Sequence, residues 1–278
     1  MPGSRPDLFA KSATYGADAI ILDLEDAVLP AAKATALTAV ASHLRDASDS
    51  TQWWVRIDSA DAESQLVTLA ALPMLSGIMI PKATAKTIAA ADRMLSEAEQ
   101  VRGTQTNSLR IIALVESARG ILELSAMAQR PRVLRFAIGE ADLAAELGIE
   151  LSEERAELWP IRLQVVVASA AVGMPAPIAP VHLVLNDAAN LESSTVRLRK
   201  LGFRARTALH PQQIAPINQA FSPSADEVAS ARNILQVFEQ AKKNGVAALT
   251  DDNGNFIDEA LARVARSVLE LDALNANR

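Results

Sequence analysis

Seven short apolar runs of strand length recur along the chain, and stretches with helical spacing separate them. The runs lie at 17–24 (ADAIILDL), 53–58 (WWVRID), 77–82 (GIMIPK), 110–116 (RIIALVE), 133–139 (VLRFAIG), 178–185 (IAPVHLVL) and 206–209 (RTAL). Helical spacing covers 5–15, 31–44, 62–72, 84–101, 118–128, 142–147, 161–172, 188–201, 211–220 and 225–244. A strand that is apolar throughout is buried on both faces, as in a parallel sheet covered by helices. Seven or eight such units in one chain predict a β/α barrel rather than an open sheet. No repeat of 20–50 residues is evident.

The chain has 278 residues, enough for one large α/β domain. Residues 1–244 are expected to form the barrel and to carry catalysis. Residues 245–278 break the rhythm: a polar loop over 244–256 with a DNG turn precedes an amphipathic helix over 257–274. Such an extension is a lid, an oligomer contact or a solvated cap.

The chemistry is bounded by what the chain lacks. It has no Cys, which excludes disulfides, thiolate metal sites and Cys nucleophiles. His43, His182 and His210 are too few and scattered for a three-His metal site. A net charge of −6 argues against a nucleic-acid partner, which needs a basic surface. The first residues, MPGSRPDLF, lack the apolar core of a secretory signal, and the most apolar stretch, 163–179, is too interrupted to span a bilayer. The expectation is a cytoplasmic protein with no membrane partner.

In a parallel barrel the reactive groups sit where strands end. Here the ends carry Asp23, Glu25 and Asp26, then Arg56 and Asp58, then Lys82, then Glu116, then Gly139 with Glu140 and Asp142, and finally His210. Glu116 and Asp142, on adjacent strand ends, suit a hard cation. Mg2+ takes one or two carboxylates and leaves its other positions to water and substrate. Arg56 and Lys82 on the same rim would stabilise a carboxylate or a developing enolate. Gly139 lets a ligand approach the backbone closely. The plainer alternative is that strand ends are polar because they meet solvent.

The strings PGSRPDLFAKSATYGADAIILDLEDAV, VRID, IMIPKA, IIALVESARG, IGEADLAAELG and LHPQQIAPIN, in this order and with the tail NGNFIDEALARVARSVL, resemble the citrate lyase beta subunit-like family. That family lies within the HpcH/HpaI aldolase and CoA-thioester lyase group. The resemblance implies a (β/α)8 TIM barrel with a C-terminal extension, assembled as a homotrimer or hexamer. It implies Mg2+ as cofactor and an acyl-CoA substrate. It further implies that Glu116 and Asp142 ligate the metal, and that Arg56 binds the substrate carboxylate or thioester oxygen. Asp23, Glu25 and Asp26 would hold metal-bound water, while Ser4 and Arg5 would meet the CoA nucleotide. Asp258 would reach a neighbouring subunit's site as a proton donor or acceptor. Lys82 is read as a substrate-binding charge rather than a Schiff-base former.

Departures from the family pattern are specific. The apolar strand that usually precedes PGSRP is missing, so the barrel is expected to lack its first strand and to be less stable or altered at its N-terminal site. In IAPVHLVLND, Ala179 and Val184 replace two common Asp residues. Gln212 stands where Arg is common, and Arg206 where Lys is. His182 is expected in the core of the sixth strand and His210 as a hydrogen-bonding rim residue.

The leading expectation is an Mg2+-dependent carbon–carbon lyase cleaving a short 3-hydroxyacyl-CoA thioester such as citramalyl-, malyl-, citryl- or hydroxymethylglutaryl-CoA. The alternatives are a CoA-independent class II pyruvate aldolase, and a CoA- or metabolite-binding subunit with little turnover.

Overall fold

The computed structural model describes residues 1–244, 249–250 and 256–276. It divides into two compact units, Met1–Ile217 and Asn218–Arg278. The first unit contains seven parallel strands in sequential order: β1 (Ala19–Asp23), β2 (Gln52–Arg56), β3 (Leu75–Ile80), β4 (Arg110–Val115), β5 (Val133–Ile138), β6 (Ile178–Ala179) and β7 (Ala205–Arg206). The helices between them are α1 (Phe9–Ser12), α2 (Lys33–Asp46), α3 (Ala62–Leu69), α4 (Ala85–Arg102), α5 (Ala118–Leu122), α6 (Leu124–Ala128), α7 (Glu140–Leu147), α8 (Trp159–Ala171) and α9 (Ala188–Leu201). The alternation of runs predicts a β/α barrel, and the structure shows its parallel β/α architecture as a curled half-barrel of seven strands.

Each central strand is buried on both faces, which is why its sequence is continuously apolar. One face presents Trp54, Met79, Ile112, Leu114 and Ala137 as a packed cluster. Trp53, Val55, Ile78, Ile111, Ala113 and Val115, one residue out of phase, are also fully covered. Trp54 lies in register with Gly77. A β-carbon on Gly77 would collide with the Trp54 ring and with the carbonyl of Arg110, so only glycine fits beside this indole.

At the edge of β1, residues 1–3 run parallel to the strand. The Met1 ammonium donates to Ile21 O at 2.8 Å, Asp23 N to Met1 O at 2.8 Å, and Gly3 N to Asp23 O at 2.8 Å. Pro2 and Asp23 form a parallel bridge. These few residues extend the sheet past β1 and hold the PGSRP turn beside its end.

The base of the sheet is secured by Arg132, which is completely buried. Its Nε donates to Asp92, its Nη1 to Glu99 and Leu109 O, and its Nη2 to Ser96 and Glu99, all within 2.6–2.9 Å. Glu99 accepts further bonds from Leu109 N, Asn107 N and the Ser108 hydroxyl. A buried guanidinium is tolerated only when its donors are met in this way.

Several expected boundaries change. The sixth strand, expected over 178–185, stops at Ala179, and residues after Pro180 leave the sheet with Leu183 and Val184 exposed. The proline has no N–H to continue a ladder. His182 is therefore a half-buried groove residue and not a strand-core residue. The seventh strand is likewise only two residues long. The helix expected over 118–128 is divided at Glu123, whose side chain reaches back to accept from Ala85 N at 2.9 Å.

The chain continues through α10 (Ile214–Phe221), and the second unit then contains α11 (Ala225–Lys243), a short antiparallel pair, β8 (Leu249–Thr250) with β9 (Phe256–Ile257), and α12 (Glu259–Ala276). Ser224 and Glu227 form a capping box that opens α11. Phe238, Ile257 and Ala262 pack as that unit's core. Paired strands thus occupy part of what reads as a polar loop. The DNG turn itself, at 252–254, lies outside the described residues. Among the described residues, no helix is long and apolar enough to cross a membrane.

Candidate active site

The C-terminal ends of β1 to β5 bring together most of the polar residues singled out in the sequence. Arg56 closes β2 and lies in register with Asp23, the last residue of β1. Asp23 takes both edges of a bidentate grip: Nε of Arg56 donates to Oδ1 at 2.7 Å and Nη2 to Oδ2 at 2.6 Å. The same carboxylate accepts Glu25 N and Ala27 N, which ties down the turn after β1. Burial works to raise the Asp23 pKa, but Arg56 and the two N–H donors outweigh it and hold the group below its ordinary value.

The remaining nitrogen of Arg56, Nη1, faces two more carboxylates. It donates to Asp26 at 3.1 Å and lies 3.0 Å from Glu25 Oε2 without hydrogen-bond alignment. Asp26 is exposed, whereas Glu25 is buried. Burial pushes the Glu25 carboxyl up to about 7; Arg56 opposes this, and Asp26, Glu116 and Asp23 add to it. Arg56 is thus held by three acidic side chains. Only its Nη1 faces an exposed partner that an incoming ligand can replace.

Glu116, one residue beyond β4, is held from two sides. Its Oε1 accepts the backbone N–H of Lys82 at 2.8 Å. Its Oε2 occupies the space that a side chain on Gly139 would need. Lys82 itself has φ +46°, a strained conformation for a residue with a side chain. That turn aims its N–H at Glu116 and leaves its ammonium exposed. Burial raises the pKa of Glu116, the Lys82 N–H lowers it, and the charge of Asp142 raises it further. Asp142 is exposed in the first turn of α7.

Other rim residues have structural partners. Glu140 is buried and ion-paired with Arg162 at 2.6 Å and Arg155 at 2.9 Å, so it is not available beside Asp142. Asp58 pairs with Lys33, and its N–H donates to Gln65. His210 accepts from Gln212 N at 3.3 Å, as the hydrogen-bonding role expects. Gln212 donates from its side chain to Leu185 O at 2.7 Å. Ser4 and Arg5 are exposed in the turn after Gly3, and Arg5 pairs with Asp7 at 2.7 Å. In the second unit, Asp258 is half-buried and caps α12 by accepting Leu261 N at 2.9 Å.

Two features of this site escape sequence reading. The left-handed turn at Lys82 carries no glycine or asparagine to mark it. The Lys33–Asp58 pair joins residues 25 positions apart, beyond any local pattern.

Comparison with known proteins gives a consistent result. Residues 1–211 match the model of the HpcH/HpaI aldolase/citrate lyase family. The L-malyl-CoA/beta-methylmalyl-CoA lyase of Cereibacter sphaeroides is 30% identical over 296 residues, covering 96% of this chain and 91% of that protein. The citrate lyase subunit beta of Leuconostoc mesenteroides subsp. cremoris is 27% identical over 282 residues, covering 100% of this chain and 92% of that one. Among solved structures, CitE from Mycobacterium tuberculosis, in complex with magnesium, acetoacetate and coenzyme A, superposes with a TM-score of 0.82 at 27% identity, covering 98% and 96% of the two chains.

Proposed function

Since the chain belongs to the HpcH/HpaI aldolase/citrate lyase family, we propose that it is a cytoplasmic, Mg2+-dependent carbon–carbon lyase acting on a short 3-hydroxyacyl-CoA thioester. The observation that carries this reading is the charge at the strand ends. Arg56 is spent on Asp23, Glu25 and Asp26, and among the described residues no ion pair neutralises Glu116 or Asp142. Glu116 is buried and held in one orientation, Asp142 lies near enough to raise its pKa, and a cation would offset both charges.

The donor set fits magnesium. Both groups are hard oxygen donors, and Gly139 and the Lys82 N–H fix the orientation of Glu116. Bound by Glu116 and Asp142, magnesium would supply a Lewis acid for the substrate oxygens.

In the cleavage, the 3-hydroxyl loses its proton and the C2–C3 bond breaks. C3 becomes a carbonyl, the electron pair passes to an acyl-CoA enolate, and the enolate is protonated at carbon. Glu25, buried and titrating at about 7, takes the hydroxyl proton. Arg56 offers Nη1, exchanging Asp26 for the substrate carboxylate or thioester oxygen. Ser4 and Arg5, at the turn beside β1, meet the nucleotide of CoA, and the exposed Lys82 ammonium adds positive charge at the mouth. Proton delivery at carbon is assigned to Asp258 of a neighbouring copy in a homo-oligomer.

The test is an Mg2+-dependent cleavage assay on malyl-, citramalyl-, citryl- and hydroxymethylglutaryl-CoA, with Glu116→Gln as control. Turnover of one thioester that vanishes in the variant supports the proposal and names the substrate. No turnover by a folded, Mg2+-binding protein on any of the four overturns it. Mixing Asp258→Asn with Arg56→Ala protomers should restore part of the activity; no restoration would remove Asp258 from a neighbour's site.

A further inference from the structure

A second concentration of charge lies beyond β6 and β7, away from the residues assigned to cleavage. A cavity of about 300 Å³ opens between the loop after α7, the start of α8, the segment after β6 and the inner side of α9. Arg206, the last residue of β7, forms part of its wall. The guanidinium is held by neutral acceptors only: Nε donates to Pro180 O at 2.9 Å, and Nη1 to Thr195 at 2.6 Å, Ser194 at 2.9 Å and Leu191 O at 3.3 Å. Among the described residues, Nη2 has no hydrogen-bond partner and no carboxylate forms an ion pair with this arginine.

Arg206 is half-buried, and the two fully buried arginines differ from it. Arg132 meets Glu99 and Asp92, and Arg162 meets Glu140. The reason lies in the neighbouring strand. Arg206 is in register with Ala179, a buried residue with no charge to offer. Residues in register on parallel strands point to the same face, so position 179 is where an internal counter-ion would sit. His182 lines the same cavity, and its Nε2 is buried without a partner. Arg155 and Arg162 also line it, both engaged by Glu140, with the Trp159 ring 4.8 Å from the Arg162 guanidinium.

We propose that this groove binds a compact oxyanion, a phosphate or carboxylate group of a small molecule, between Nη2 of Arg206 and the imidazole of His182. An external anion would take the place of the counter-ion that Ala179 lacks. Burial lowers the pKa of Arg206 to about 10, Glu140 opposes the shift, and Arg155 and Arg162 add to it, so the guanidinium stays charged at neutral pH. Exposed Glu153 and Glu154 on the lip, against the exposed Arg197, keep the net charge of the lining low. The site therefore suits a small anion rather than a polyanion.

The groove is distinct from the proposed metal pair. Glu140 and Asp142 are two positions apart on α7, roughly 200° around the helix. Glu140 turns to the groove arginines, whereas Asp142 is exposed.

The experiment is calorimetric titration of the intact protein with inorganic phosphate and, separately, malonate. Saturable binding of at least one is expected, and the tighter of the two identifies the group. Ala179→Asp places a carboxylate beside Arg206 and should weaken that binding by about tenfold or more. Arg206→Gln should do the same, and far-UV circular dichroism with thermal unfolding reports whether each variant retains its fold. Absence of saturable binding of either anion to the wild-type protein would overturn the proposal. So would unchanged affinity in a folded Ala179→Asp protein.

Discussion

The carboxylate of Glu116 fits into the space left by the absent side chain of Gly139: a β-carbon there would collide with Oε2. The residue just after β4 supplies the carboxylate, and the turn between β5 and α7 supplies the vacancy.

Gly139→Ala should therefore disturb the metal site without unfolding the barrel. The new methyl forces Glu116 to turn away, and the Lys82 N–H loses its acceptor. We expect Mg2+ affinity to fall by about tenfold or more, since one misplaced ligand of two is decisive for a weakly held ion. Mg2+ titration read beside far-UV circular dichroism checks this; unchanged affinity would mean that Glu116 does not ligate the ion.

Mg2+ binding should also tighten with rising pH. Burial holds the pKa of Glu116 above its ordinary value, and the Asp142 charge contributes, so a cation must displace a proton in mildly acidic solution. Affinity should increase as pH rises above the ordinary carboxylate range, with proton release visible as a dependence of the calorimetric heat on the buffer. A flat profile would count against this carboxylate pair as the site.

Glu25 predicts a different pH dependence, of stability. Its folded pKa of about 7 exceeds its unfolded value of 4.5, so the folded state resists its ionisation. The stability that this group contributes is present below pH 4.5 and lost as pH rises through 7. The full effect is roughly 3 kcal/mol in metal-free protein. Glu25→Gln should remove that decline in urea unfolding curves measured at about pH 4.5 and at about pH 7.5.

At the base of the sheet the sign reverses. Arg132, Leu109 N and Asn107 N overcome the burial of Glu99 and lower its pKa to about 2. This contribution, again roughly 3 kcal/mol, is present above pH 4.5 and lost as pH falls toward 2. Glu99→Gln should destabilise the protein by about 3 kcal/mol at neutral pH, because it leaves Arg132 buried with an incomplete set of charges. Unfolding by urea at neutral and acidic pH measures both effects.

Much of this architecture is visible in the order of side chains. Burial on two faces demands continuously apolar strands, and the runs at 53–58, 77–82, 110–116 and 133–139 identify β2 to β5 within a residue or two. Apolar runs do not mark strands where burial is not the cause of apolarity. Residues 181–185 read as strand, yet Pro180 ends the ladder and Leu183 and Val184 line an open groove. Of the candidate site residues, Asp23, Glu25, Asp26, Arg56 and Glu116 do converge. Glu140, chemically identical to Glu116, turns instead to Arg155 and Arg162.

The linear order of residues thus specifies which segments are the central strands and which residues near their ends carry charge, because those are local consequences of burial period and polarity. It does not specify how each carboxylate is used. Arg56 meets Asp23 across 33 residues, and Lys82 meets Glu116 across 34. Those pairings arise from strand register, from a left-handed turn at Lys82 and from the missing β-carbon of Gly139. All three act through distances that exist only once the sheet has curled and brought separate strand ends within hydrogen-bonding reach.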